Sequence, residues 1–429
     1  MAQEQLKQVR VLDPLSQVDR VADVLIDAGK IVDIADPGTG NFSGGIARDC
    51  AGLILAPGLV DLYSHSDEPG FETRETLASL TAAAIAGGFT RLTLLPDTHP
   101  PLDNTNGLTH IQAQLAADIP LQVQAWGAIT QNLDGEKLVD FADLIQAGVV
   151  GFSDGQPLQN TLLLRRLCEY LAPESYPIAL WPCDPALAGS GVIREGVDAL
   201  RLGLSEAPTM AETSVLAALL EIVAQTQVAV HIMRVSTARS VELIQSAKER
   251  GLPITASTTW MHVLGNSQSL HTYDIHWRLD PPVGNIHDQE ALIRGLETGV
   301  IDAIAIDHHA YTYEEKTVAF SASPPGTIGL ELALPLLWQT LVETERWSPL
   351  LLWERLSTSP SRCLRQAPPQ LQVGQPAEVV LFDPQQSWSA DSQQLQSLSQ
   401  NTPWYGQTLT GRIIKTWHPK AGANPLEYV

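Results

Sequence analysis

Residues 76–97 read TLASLTAAAIAGGFTRLTLLPD. Thr76 to Ala86 is rich in Ala and Leu, strong helix formers, and Gly87-Gly88 stops the helix. Phe89 to Leu95 follows as an apolar, β-branched run that ends at Pro96, the signature of a buried strand. Upstream, Leu53-Ile54-Leu55 and Leu59-Val60-Asp61-Leu62 read as strands, so this region has the order strand, helix, strand. The same alternation continues. Strands are expected at Leu121–Ile129, Val149–Phe152, Ile178–Trp181, Val228–Met233, Ile254–Ser257 and Ala303–Ile306. Helices are expected between them at Glu136–Gln146, Thr161–Leu171, Thr209–Gln225, Ala238–Arg250 and His287–Thr298. Strand–helix alternation of this kind builds parallel β/α units, and eight such strands close into a (β/α)8 TIM barrel with its chemistry at the strand C-termini. No GxGxxG turn follows an early strand, which argues against a dinucleotide-binding open sheet.

The flanks read differently. Gln8–Leu12, Ala22–Asp27 and Ile31–Ile34 are short strands punctuated by Ala28-Gly29-Lys30, and residues 35–50 form a polar, Gly-rich loop. Leu371–Asp383 and Gln407–Trp417 are again strand-like. Three segments result: residues 1–54 as the first part of a small β-sandwich, 55–365 as the barrel, and 366–429 as the second part of the sandwich.

Composition narrows the function. In 429 residues, 44% apolar and 17% charged, there is ample material for a core. Twenty-six Lys and Arg against 48 Asp and Glu leave a formal charge of −22, which disfavours nucleic acid. No apolar run reaches the length of a membrane span, and MAQEQLKQVR contains no signal-peptide core. Cys50, Cys168, Cys183 and Cys363 form no CxxC pair and read as reduced thiols of a cytoplasmic protein. Several of the ten tryptophans lie near the C-terminus and suggest packing between domains or subunits.

The polar residues that follow the barrel strands are the ones to weigh for chemistry. They are Asp61 to Gly70, Pro96 to Pro100 with Asp103-Asn104, Ser153-Asp154-Gly155, Pro182-Cys183-Asp184, Arg234 to Thr237, and Asp307-His308-His309. Singly, each reads as a loop or cap residue; as a set they share one rim.

With Pro57-Gly58-Leu59-Val60-Asp61-Leu62, Glu68-Pro69-Gly70, Ala86 to Thr90, Asp103-Asn104, Gly151 to Gly155, Val235-Ser236-Thr237, Pro281-Pro282, Ala305 to His308, Glu314-Glu315-Lys316, Pro325 to Glu331 and Asn401-Thr402-Pro403, the chain resembles the dihydroorotases of the amidohydrolase superfamily, which are related to hydantoinases and allantoinases. These stretches occur in family order over nearly the whole chain. The resemblance implies a metal-hydrolase TIM barrel, zinc, and a place in pyrimidine biosynthesis.

At the catalytic positions the sequence departs from that pattern. The His-x-His pair expected after the first strand is Tyr63 and His65, and the later His ligands are replaced by Pro182 and Arg234. Asp154 stands near the bridging position, and Asp307 matches the Asp that serves as general base and metal ligand, here vestigial. His65, Asp154 and Asp307 are the residual ligand positions. Arginine neither deprotonates nor coordinates, and proline offers no donor atom. No cofactor is therefore expected, with one weakly bound metal as the remaining option. The guanidinium of Arg234 is expected to pair with Asp307, Asp154 or both in place of the lost cation.

The substrate pocket changes as well. Asp67, Asp97 and Asp280 replace an Arg and two Asn of the family pattern, a formal change of about −4; His308 matches a substrate-contacting residue. The anionic dihydroorotate would then meet repulsion. The resemblance implies an inactive structural or regulatory homologue, homo-oligomeric and a partner of aspartate transcarbamoylase. The alternatives are an active cyclic-amide hydrolase with an unusual or mononuclear centre, and a binder of a small cationic ligand.

Overall fold

The alanine-rich stretch folds as helix Leu77–Ala86, and Thr76 serves as its N-cap by accepting from the Ser79 amide. Gly87 caps it and must be glycine, because a Cβ there would lie 1.9 Å from the Leu330 carbonyl oxygen, and Gly88, with φ +87°, turns the chain out of the helix. The computed structural model describes residues 3–40, 45–115, 119–172 and 176–419.

At the N-terminus, β1 (Glu4–Asp13), β2 (Val18–Asp27), β3 (Lys30–Ala35), β4 (Ile46–Asp49) and β5 (Ile54–Pro57) belong to one sheet. The barrel strands begin with β6 (Leu59–Val60), β7 (Phe89–Leu94), β8 (Gln122–Ala125) and β9 (Ile178–Leu180). An excursion at the barrel mouth pairs β10 (Ile193–Arg194) with β11 (Glu206–Ala207) in parallel. The barrel continues with β12 (Val230–Ile232), β13 (Ile254–Thr259) and β14 (Ala303–Ala305). Near the C-terminus, β15 (Val379–Ser389) and β16 (Thr408–Trp417) return to the first sheet in the order β16-β15-β5-β1-β2-β3, with β4 on β1. The terminal strands thus form one continuous seven-stranded sheet, rather than two separately bonded layers, around a core that includes Val9, Val24, Leu55, Val379 and Trp417. Because β5 pairs with β1 and β15, the chain passes from sheet to barrel after Pro57.

In the barrel, β6, β7 and β8 are parallel neighbours, and β9, β12, β13 and β14 form a second parallel run. Phe152 joins the two runs by bridging Gly127 and Ile178. The strand expected over 149–152 is thus reduced to bridges in an extended segment. Closure comes from the other side. Asp307 N donates to Tyr63 O (3.0 Å), His65 N donates to His308 O (2.9 Å), and Ile306 N donates to Asp61 Oδ1 (3.1 Å). Val60, Leu62, Trp126, Ala179, Met233 and Ala305 fill the interior, and the larger apolar cluster lies between strands and helices. The helix expected from Glu136 begins only at Phe141, where Asp140 accepts from the amides of Ala142 and Asp143.

Barrel and sheet are joined by buried contacts. Arg91 of β7 makes two hydrogen bonds to Glu378, Nε to Oε1 (2.7 Å) and Nη2 to Oε2 (2.8 Å). Trp338 packs edge-on against Trp353 and against Phe382 of β15, and Trp353 meets Phe382 at a tilt. No described helix is long and apolar enough to cross a membrane.

Candidate functional site

The C-terminal ends of the barrel strands surround a cavity of about 370 Å³ lined by His65, Asp97, Trp181, Arg234, Arg278 and Asp307, among others. Arg234 and Asp307 both have φ +53°. This left-handed conformation is unusual for side chains other than Gly, Asn and Asp, and its strain concentrates at functional sites.

The guanidinium of Arg234 meets Asp307 in bidentate fashion, Nε to Oδ2 at 2.8 Å and Nη2 to Oδ1 at 2.6 Å. Its Nη1 donates to Gly155 O at 2.8 Å, and its Cζ lies 4.8 Å from the centroid of the Trp181 ring. His65 stands beside the pair. Its Nδ1 is 2.5 Å from Asp97 Oδ2, its Nε2 is 3.5 Å from Asp307 Oδ1, and its ring stacks on His309 at 3.7 Å. Burial works against the imidazolium, but the two carboxylates prevail and raise its pKa to about 9. Burial would likewise raise the pKa of Asp307, but Arg234 and His65 hold it far below the carboxylate range. The charged His65 turns Nε2–H toward Asp307. In the neutral tautomer the same nitrogen would accept from Arg234 Nη2 at 3.2 Å.

Zinc does not fit this donor set. A catalytic zinc takes three protein ligands and an open position. Both oxygens of Asp307 are occupied by Arg234. Asp154, a residual ligand position in the sequence, is turned away from the cavity. Its Oδ1 accepts from the amides of Ile129 (2.7 Å) and Thr130 (3.0 Å), and its Oδ2 accepts from Thr130 Oγ1 (2.7 Å). Arg234 therefore pairs with Asp307 and not with Asp154. Tyr63 is buried, bonded through its hydroxyl to Ser257 Oγ (3.0 Å) and accepting from Arg234 N (3.2 Å). Pro182 is buried and has no donor atom.

The acidic residues read as a repulsive pocket are differently placed. Asp67 is 4% exposed, outside the cavity lining, and 3.3 Å from Arg74 Nη1. Asp97 does line the cavity but is engaged with His65. Asp280 is exposed and lines the cavity. His308, expected to face the ligand, is buried behind the wall. Its Nδ1 accepts from Gly329 N (3.1 Å), and its Nε2 is 3.4 Å from Glu75. The adjacent His309 lines the cavity instead. Sequence reasoning also missed Arg278 and the role of Trp181. Arg278 lies two residues before Asp280, so its position in the same extended segment was the available signal. Burial pushes the Cys183 thiol up to about 12, which makes it a poor nucleophile.

The chain is thus a (β/α)8 barrel with a sheet built from both termini and with polar groups gathered at the barrel's strand ends. A sequence profile described as Dihydro-orotase-like matches residues 52–164. A Synechocystis protein named "Probable dihydroorotase-like protein" is 43% identical, covering 95% of this chain and 98% of the relative. A Syntrophotalea carbinolica protein named "Dihydroorotase" is 37% identical, covering 95% of each. Among solved structures, the L-hydantoinase (dihydropyrimidinase) of Arthrobacter aurescens superposes with a TM-score of 0.85 at 20% identity, covering 100% of this chain and 96% of that one. The last likeness concerns the fold. The sequence relatives define the family, and the chain belongs to the dihydroorotase-like family.

Proposed function

We propose that this protein is a non-hydrolytic member of its family, serving pyrimidine biosynthesis as a structural or regulatory partner of aspartate transcarbamoylase. The observation that carries the reading is the Arg234–Asp307 pair, with Gly155 O as third acceptor, across the floor of the barrel mouth. Opening an unstrained cyclic amide requires an activated water. In this family type a metal supplies that activation by bringing the pKa of water down from about 15.7 to about 7. Asp307 offers no substitute. Its proton affinity is depressed and both oxygens are occupied, whereas a general base works best with a pKa near the operating pH.

The test combines three measurements on the purified protein: zinc per chain, conversion between dihydroorotate and carbamoyl aspartate, and co-elution with aspartate transcarbamoylase of the same organism. Substoichiometric zinc, no turnover and a stable complex are expected. Stoichiometric zinc with turnover would overturn the inactive assignment, and separate elution would remove the partnership. The 37% identity to a chain named Dihydroorotase favours a second reading, a hydrolase with one metal in which Arg234 swings aside. The zinc and turnover measurements decide between the two.

A further inference from the structure

Most charges at the barrel mouth are compensated locally. Arg234 faces Asp307, His65 faces Asp97, and Asp67 behind the wall faces Arg74. Two charged groups in the cavity lining, Arg278 and Asp280, remain. Among the described residues no direct ion pair joins them to each other or to a third partner. Arg278 donates from Nη1 to Leu279 O at 2.5 Å, and its Nε has no hydrogen-bond partner. Asp280 is exposed, whereas Leu279 between them is 6% exposed and packs in the core.

That burial pattern follows from local backbone. Arg278 is extended, with φ −74° and ψ 99°. In an extended chain, residues i and i+2 stand roughly 7 Å apart, and here Arg278 and Asp280 both reach the cavity, with Leu279 between them contributing an apolar part of its wall. The wall therefore presents a cation and an anion side by side, which attract each other without closing a direct ion pair among the described contacts. A carboxylate alone would satisfy Arg278 but oppose Asp280, and an amine alone would do the reverse. Each would leave one charged group unanswered, with a carboxylate set against Asp280 or an amine against Arg278, which is how such a site rejects the wrong ligand. A molecule bearing both charges satisfies both. The carboxylate and ammonium of an α-amino acid lie roughly 3 Å apart. With hydrogen bonds of about 2.9 Å at each end, they span a gap of this size. The rest of the cavity offers Pro157, Pro185, Met261 and Ile306 as apolar wall.

We infer that the barrel-mouth cavity binds a free α-amino acid with an apolar side chain, its carboxylate on Arg278 and its ammonium on Asp280. The inference rests on the non-hydrolytic reading only in requiring that Arg234 and Asp307 stay engaged with each other.

The experiment is a thermal-melt screen of the full chain against the common free α-amino acids at about 10 mM, followed by calorimetric titration of the hit. If the hit is L-leucine, the matched probes are 3-methylbutylamine and 4-methylpentanoate. Dihydroorotate serves as the anion without an ammonium. An apolar amino acid should raise the melting temperature and bind at least tenfold more tightly than either matched probe. Arg278→Gln and Asp280→Asn should each weaken it by at least tenfold, with each variant's own unliganded melt serving as the folding control. Should either variant fail to fold, the comparison of matched probes on the wild-type chain decides alone. No shift with any amino acid, equal binding of the carboxylate analogue, or unchanged binding to both folded variants would overturn the inference. Zinc content and turnover measured on the same sample keep the two readings separate. A zinc-free, inert protein that ignores amino acids defeats this inference alone, whereas turnover of dihydroorotate defeats the proposed function.

Discussion

Replacing Arg234 by Met removes the charge while keeping most of the side-chain length. The side chains of Arg234 and Asp307 are 5% and 15% exposed, so little solvent screens the pair. The substitution deletes two charge-assisted bonds to Asp307 and one to Gly155 O, and leaves Asp307 buried with a weaker partner. Breaking a buried pair from one side costs about 3–5 kcal/mol. His65, whose Nε2 is 3.5 Å from Asp307 Oδ1, takes up part of the released charge and places the cost at the lower end, about 3 kcal/mol. The informative control is the double variant Arg234→Met with Asp307→Asn. Asparagine suits position 307 because it tolerates the φ of +53° found there and carries no charge. With both charges gone the loss should fall to about 1 kcal/mol, so the double variant should be about 2 kcal/mol more stable than Arg234→Met alone. Urea unfolding followed by tryptophan fluorescence reads this as a change of midpoint at unchanged slope. A single variant that loses less than about 1 kcal/mol, or a double variant no more stable than the single, would refute the claim that the pair holds the barrel mouth together.

Other consequences follow from the same contacts. His65 is raised in the fold to about 9, above its ordinary 6.5, so its contribution is complete below about pH 6.5 and is lost as pH rises through about 9. The gap in urea midpoint between wild type and His65→Gln should therefore shrink from pH 6 to pH 9.5, and a constant gap would contradict the charged assignment. Lys316 is 2% exposed and donates to Pro324 O, and burial pushes its pKa down to about 7. Its destabilising effect is complete below about pH 7 and disappears toward about pH 10.5, so Lys316→Met should gain most over wild type in acid and least in alkali; the opposite trend would dismiss the assignment. Gly87→Ala sets a methyl against the Leu330 carbonyl and should cost about 1–3 kcal/mol in urea titration, whereas a loss below about 0.5 kcal/mol would mean that the two segments separate easily.

The barrel was legible because its signal is local. Phe89–Leu94 is buried at every position, as a strand covered on both faces must be, and the Gly pair before it marks a helix end. The signal weakened where local pattern and long-range pairing diverge. Residues 149–152 look like a strand, yet Phe152 meets its neighbours only through isolated bridges. Residues 136–140 look helical, yet the Asp140 cap fixes a later start. At the site, the rule that chemistry gathers at strand ends placed His65, Arg234 and Asp307 on one rim. It did not give side-chain direction. Asp154 is turned aside by amides 24 and 25 residues earlier, and His308 is held by an amide 21 residues later and by Glu75. Such partners are invisible to spacing. Counting carboxylates misled for the same reason, because the cations that answer Asp67 and Asp97 reach them only through the fold.

The backbone at the barrel mouth bears on why an arginine can stand there. Arg234 and Asp307 share a left-handed φ, a geometry that costs on the order of 1–3 kcal/mol for the arginine unless the surroundings enforce it and less for the aspartate. The two residues follow β12 and β14, and the segment after β14 also closes the barrel by donating from Asp307 N to Tyr63 O. The conformation at 307 is thus tied to closure, and the conformation at 234 aims its side chain across the mouth at the same carboxylate. An aliphatic side chain at 234 would keep the strain and lose the compensation, while leaving a buried anion. A guanidinium supplies a fixed positive charge, a fork that matches a carboxylate, and a third donor for Gly155 O. Lysine would give only a point charge to one oxygen. The geometry therefore accounts for arginine specifically, rather than for any cation, at position 234.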